Sequence, residues 1–85
     1  KKNEMKTTAY FRYTRERPDR AKIKDEWIRS VIDQPLKKEY QSDGRIRKWA
    51  WIEEERKYLR VIQLADEETI HNAFFDRSFQ TEEKK

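Results

Sequence analysis

Eighty-five residues make one domain, and a chain this short buries a smaller share of its surface than a larger one, so its core must be closely packed. The composition is 45% charged and 34% hydrophobic, with 21 basic and 17 acidic side chains and a net charge of +4, which favours an anionic partner only weakly. The absence of cysteine excludes disulfides and thiolate chemistry, and a single histidine argues against a dedicated zinc site, so no metal or cofactor is expected.

The high charge leans toward disorder, but the aromatic residues gather into periodic runs that bury large areas from few side chains. A folded centre with loose ends is expected. No apolar run long enough to span a membrane and no signal-like segment occurs, which predicts a soluble, cytoplasmic protein.

In chain order, residues 1–8 are polar and without period and are expected to form a disordered tail, with Met5 as the native first residue. Ala9, Tyr10, Phe11 and Tyr13 form an apolar cluster that reads as a short helix, with a strand as the alternative. Pro18 disfavours helix at Arg17 and can start a new one. From Asp19 to Gln34, Ala21, Ile23, Trp27, Ile28, Val31 and Ile32 recur at helical spacing, and Pro35 ends the pattern. Burying five of those side chains contributes on the order of 10 kcal/mol before chain entropy, comparable to the net stability of a small domain.

Leu36 to Ser42 alternates as a strand, and Asp43-Gly44, with the chain's one glycine, signals a hairpin turn. A three-stranded antiparallel meander follows, over Arg45–Glu53, Tyr58–Leu64 and Thr69–Asp76. The single domain is expected to span residues 9–79, with residues 80–85 as a second disordered tail. The expected architecture is α+β: one or two N-terminal helices packed on one face of a four-stranded antiparallel sheet.

A two-residue loop at Glu55-Arg56 places Trp51 opposite Arg60 and Trp49 opposite Ile62, and a four-residue loop at Ala65–Glu68 places Ile62 opposite His71. Alternation then sorts the side chains. One face carries Ile46, Ala50, Ile52, Leu59, Val61, Ile70 and Phe74, with Lys48, Gln63 and Asn72 as polar exceptions, and is the predicted core. The other carries Arg45, Arg47, Trp49, Trp51, Tyr58, Arg60, Ile62, Leu64, His71, Ala73 and Phe75.

Four stretches carry a resemblance to a small group of uncharacterised bacterial domains placed with the RelE-type and BrnT-type toxins of toxin-antitoxin systems. They are residues 26–35 (EWIRSVIDQP), 41–47 (QSDGRIR), 58–62 (YLRVI) and 69–77 (TIHNAFFDR). The resemblance implies a RelE-like α+β fold with one sheet face open, the face with which RelE-type relatives bind RNA and cleave it without a metal. Members commonly show a histidine in the first helical segment, where this sequence has Phe11 or Tyr13.

Metal-free cleavage requires a base for the 2′-hydroxyl, an acid for the leaving oxygen and cations for the charged intermediate. On the open face, His71 is the acid-base candidate, Arg60 a phosphate clamp and Tyr58 an auxiliary donor or stacking group; these three form the candidate catalytic set. Arg45, Arg47, Lys48, Trp49, Trp51 and Arg77 are the candidates for holding RNA or another anion. Each also has a structural alternative. His71 can simply pack on Ile62, Arg60 can form a cation–π pair with Trp51, and Trp49 and Trp51 can be packing residues. Asp76-Arg77 can be an ion pair closing the sheet, and the acidic runs at Glu53–Glu55 and Asp66–Glu68 read as solvated turns.

The sequence therefore supports a toxin-like endoribonuclease or RNA binder and, equally from the same residues, a non-enzymatic module that binds an acidic, antitoxin-like protein. A third possibility is self-association through Trp49, Trp51 and Phe75. No reaction is named by any motif.

Overall fold

The computed structural model describes residues 5–79. Within them three short helices, α1 (Ala9–Thr14), α2 (Pro18–Ala21) and α3 (Asp25–Asp33), precede strands β1 (Lys37–Tyr40), β2 (Ile46–Ile52), β3 (Lys57–Gln63) and β4 (Ile70–Phe75). The strands form one antiparallel sheet in the order β1-β2-β3-β4, so the expected α+β architecture with a four-stranded antiparallel sheet is present. The expected tails at residues 1–4 and 80–85 lie outside the described residues. Among the described residues no helix is long and apolar enough to cross a membrane.

The helix expected over Asp19–Gln34 is divided. Pro18 starts α2 at its first position, where a missing N–H costs nothing, but the chain then breaks at Lys22–Lys24 so that Ile23 can enter the core. Arg15 stabilises the break: its Nη2 donates to the Ile23 carbonyl at 2.8 Å, and its Nη1 lies 2.7 Å from Asp25, which also favours the positive end of α3. From α3, Trp27, Ile28 and Val31 cover one sheet face and meet Ala50, Ile52, Leu59, Val61, Ile70 and Ala73.

The chain before α1 is tied down as well, which corrects the tail expected through Thr8. Lys6 and Thr8 exchange backbone hydrogen bonds with Ile70, and the Thr8 hydroxyl accepts from the Phe11 N–H to cap α1. Polar residues here satisfy the edge of β4, which composition does not reveal.

The three turns follow their local chemistry. Gly44, at φ +94°, and an Asp43 carboxylate that accepts from the Arg45 N–H close the β1–β2 turn. Asp66 shapes the β3–β4 turn by accepting from the Thr69 N–H, the Thr69 hydroxyl and the Glu68 N–H, and these bonds pull its pKa down to about 2. The β2–β3 turn holds Arg56 in the left-handed region at φ 55°. Arg56→Gly relieves a conformation that costs a side chain about 1–2 kcal/mol and gives back part of that as unfolded-chain entropy, so a net gain of roughly 0.5–1 kcal/mol is expected by urea denaturation. A loss of stability would mean that the Arg56 side chain, not its backbone, governs the turn.

Register decides the faces. β2 and β3 pair with Trp49 opposite Arg60 and Trp51 opposite Tyr58, two residues away from the expected pairing, because the loop has four residues (53–56) rather than two. An even shift leaves every side chain on its expected face. Between β3 and β4 an irregularity at Ile62/Gln63 adds one residue, and beyond it the parity is reversed. Ala73 and Phe75 therefore join the core side, and Asn72 and Phe74 move to the open side, contrary to expectation.

Candidate nucleic-acid interface

The face opposite α3 is built in cross-strand rows. Glu39, Arg47, Ile62 and Asn72 form one row, and Lys37, Trp49, Arg60 and Phe74 the next. The third row is Trp51 beside Tyr58, whose carbonyl accepts from the Asp76 N–H as β4 ends.

The middle row is closed over. Trp49 is only 4% exposed because Phe79, beyond β4, stacks on it with ring centroids 4.8 Å apart and also meets Tyr58 edge-on. Trp49 donates its indole N–H to Asp76 at 2.9 Å, and Arg60 Nη1 approaches the same carboxylate oxygen at 3.4 Å. Asp76 also accepts from the backbone and hydroxyl of Ser78. Burial pushes its carboxyl up, but the Trp49 and Ser78 hydrogen bonds and the Arg60 charge outweigh it and hold the pKa below the ordinary value. Arg60 lies over the rings of Trp49 and Phe74, at 5.5 and 5.1 Å, rather than over Trp51. Asp76 thus pairs with Arg60, not with its neighbour Arg77.

His71 lies elsewhere. It occupies the irregular stretch at the start of β4, stacked on Tyr10 with its Nδ1 3.2 Å from the Thr8 hydroxyl. Since that hydroxyl accepts from Phe11, it can donate to Nδ1 of a neutral ring. Burial, with the nearby Arg45 charge, lowers the His71 pKa and favours that neutral form. Ile62, across from the neighbouring Asn72, is four residues along β3 from Tyr58, about 13 Å at the rise of a strand. His71, Arg60 and Tyr58 therefore do not converge on one point.

Lys48 is on the helix-covered side and only 4% exposed, 3.2 Å from Glu67, which also holds Lys38 at 2.6 Å. Lys48 lies on the predicted core face, as expected, and its charge is committed to that cluster, which removes it from the anion-binding candidates. The acidic turn that reads as solvated thus supplies the counter-ion of a buried lysine. Positive φ at Glu67 shapes this turn, while Gln63 Nε2 donates to the Glu67 carbonyl.

Accessible cations and rings remain at two places. Arg45 and Arg47 face Asp43 and Glu39 only at 3.8 Å, distances that leave both guanidinium groups able to take another anion, and Arg47 Nε is buried without a hydrogen-bond acceptor among the described residues. Trp51 is 43% exposed, its N–H satisfied by Glu53 at 2.7 Å and its ring edge-on to Tyr58. It borders a cleft of about 280 Å³ shared with Arg56, Lys57, Phe75 and Arg77. Arg56, Lys57 and Phe79 are the contributors that strand alternation did not single out, because they sit in a turn, at a strand end and beyond the sheet.

Trp49 is buried and Phe75 is on the core side, where it meets Trp27 edge-on, so Trp49, Trp51 and Phe75 do not form one exposed patch for self-association. Family models, curated proteins and solved structures give no match to this chain.

Proposed function

We propose that this domain binds single-stranded RNA, without cutting it, along a track that runs from Arg45 and Arg47 to Trp51 and Tyr58. The observation that carries the reading is Trp51, a large ring kept exposed on a strand with its one polar atom already satisfied, beside a second aromatic ring and strands bearing loosely paired arginines. Bases stack on such rings whatever their sequence, and guanidinium groups hold phosphates in two-point contacts. The likeness to RelE-type domains supports the choice of RNA as the anion.

Catalysis has weaker support. The proposed acid-base group is packed under Tyr10, the clamp Arg60 is engaged by Asp76, and Tyr58 stands about 13 Å from the histidine end of the sheet. The RNA reading predicts that titrating labelled oligonucleotide shifts the amide resonances of β2 and β3, and that affinity falls steeply with salt. Trp51→Ala is expected to weaken binding about tenfold, the share of one stacked base. Shifts confined to the chain ends would overturn the reading. Cutting that is abolished by His71→Ala would replace it with the enzyme, and weak salt dependence with an acidic protein ligand would favour the antitoxin-like partner.

A further inference from the structure

At the end of β4 a second cleft of about 370 Å³ adjoins the first and shares Lys57, Phe75 and Arg77 with it. Lys22, from the break between α2 and α3, reaches the same space. Lys22, Lys57 and Arg77 form no ion pair among the described residues. Two carboxylates, Asp19 and Asp76, also line the clefts, and neither forms an ion pair with Lys22, Lys57 or Arg77 among the described residues. Asp76 is engaged by Trp49, Arg60 and Ser78, and Asp19 is drawn to Arg20, which also donates to Asn72 and lies over Phe74.

Three like charges gathered around an aromatic wall repel one another, and among the described residues Lys57 has only the Phe75 ring, 5.5 Å from its ammonium, to offset that repulsion. A ligand of double negative charge would offset it. A phosphate inside a nucleic-acid strand carries one charge, whereas a terminal phosphomonoester carries about −1.5 to −2 at neutral pH and offers three acceptor oxygens. The aromatic rim formed by Trp51 and Tyr58 on the adjoining cleft is placed for the base of the same nucleotide.

We infer that the corner formed by Lys22, Lys57 and Arg77 binds the terminal phosphomonoester of a nucleotide whose base stacks at Trp51. The inference rests on the RNA reading and names the part of the strand that the corner takes. The same chemistry is offered by a free mononucleotide, so the source is separated by experiment.

Anisotropy titrations of the full chain with labelled oligoadenylate bearing a 5′-phosphate, a 3′-phosphate or neither, together with adenosine monophosphate and inorganic phosphate as competitors, supply the test. One phosphorylated end is expected to bind about tenfold tighter than the unphosphorylated strand. Arg77→Gln and Lys22→Gln should each erase that advantage, and Lys22→Gln, exposed on the surface and outside the RNA track, should leave the affinity of the unphosphorylated strand within about twofold. Equal affinity for all three strands overturns the inference while leaving RNA binding intact. If no strand binds but adenosine monophosphate shifts the Trp51 indole resonance, and Arg77→Gln removes the shift, the corner stands as a free-nucleotide site and the RNA reading fails. Inorganic phosphate competing as well as the mononucleotide would leave the ring without a role and overturn the proposal.

Discussion

Asp76→Ala is expected to destabilise the domain by about 3 kcal/mol, because it leaves a buried indole N–H and a guanidinium largely removed from water without their acceptor. The Asp76 side chain is only 8% exposed and that of Arg60 only 23%, so water can replace the lost bonds only in part. In a domain of this size that loss lowers the thermal midpoint by more than about 10 °C. The same contacts give a pH signature. Asp76 has a folded pKa below its unfolded value of 3.8, so its contribution is fully present above that value and is lost as pH falls through the folded one. Asp76→Asn should therefore flatten the acid limb of the wild-type stability curve below about pH 4. A change under about 0.5 kcal/mol for the alanine variant would show that Trp49 and Arg60 find other acceptors.

Leu59→Ala is expected to cost about 3–4 kcal/mol, the range for a large side chain removed from a core that cannot collapse around the gap. Leu59 is fully buried on β3 between the α3 side chains and the neighbours Ala50 and Phe75. Against a net stability of about 5–15 kcal/mol for natural domains, with short chains near the lower end, such a loss leaves little margin. Urea unfolding checks it: the midpoint should fall while the slope with denaturant stays the same. A cost below about 1 kcal/mol would mean that α3 does not pack firmly on this face.

These two positions also separate what was legible in the residues from what was not. Leu59 belongs to an alternating run whose inward side chains recur every second residue, and that period survives any even change of register. The β2–β3 pairing did change by two, and Ile46, Ala50, Ile52, Leu59 and Val61 nevertheless all lie in the predicted core. Asp76 was visible only as half of a sequence-adjacent ion pair. Its true partners, Trp49 and Arg60, are 27 and 16 residues away, and their approach depends on the added residue in β4 and on Phe79 folding back across the sheet.

The candidate site shows the same division. Strand alternation placed Arg47, Trp51, Tyr58 and Arg60 on the open face, where the structure has them. It could not tell that Trp49 is covered by Phe79, that Lys48 is paired with Glu67 or that His71 is held by Thr8 and Tyr10, since each contact joins segments distant in the chain. Nor does any local pattern bring Lys22 next to Lys57 and Arg77.

By itself the sequence determined the α+β order of elements, the strand assignments, the Asp43-Gly44 turn and the inward face of β2 and β3, because these follow from side-chain period and turn chemistry within a few residues. The tertiary structure decided where the long helix breaks, which face the end of β4 presents, which cations meet a carboxylate and where Lys22, Lys57 and Arg77 gather. Those outcomes depend on one added residue and on contacts across the whole chain, and their energies exist only once the segments have met.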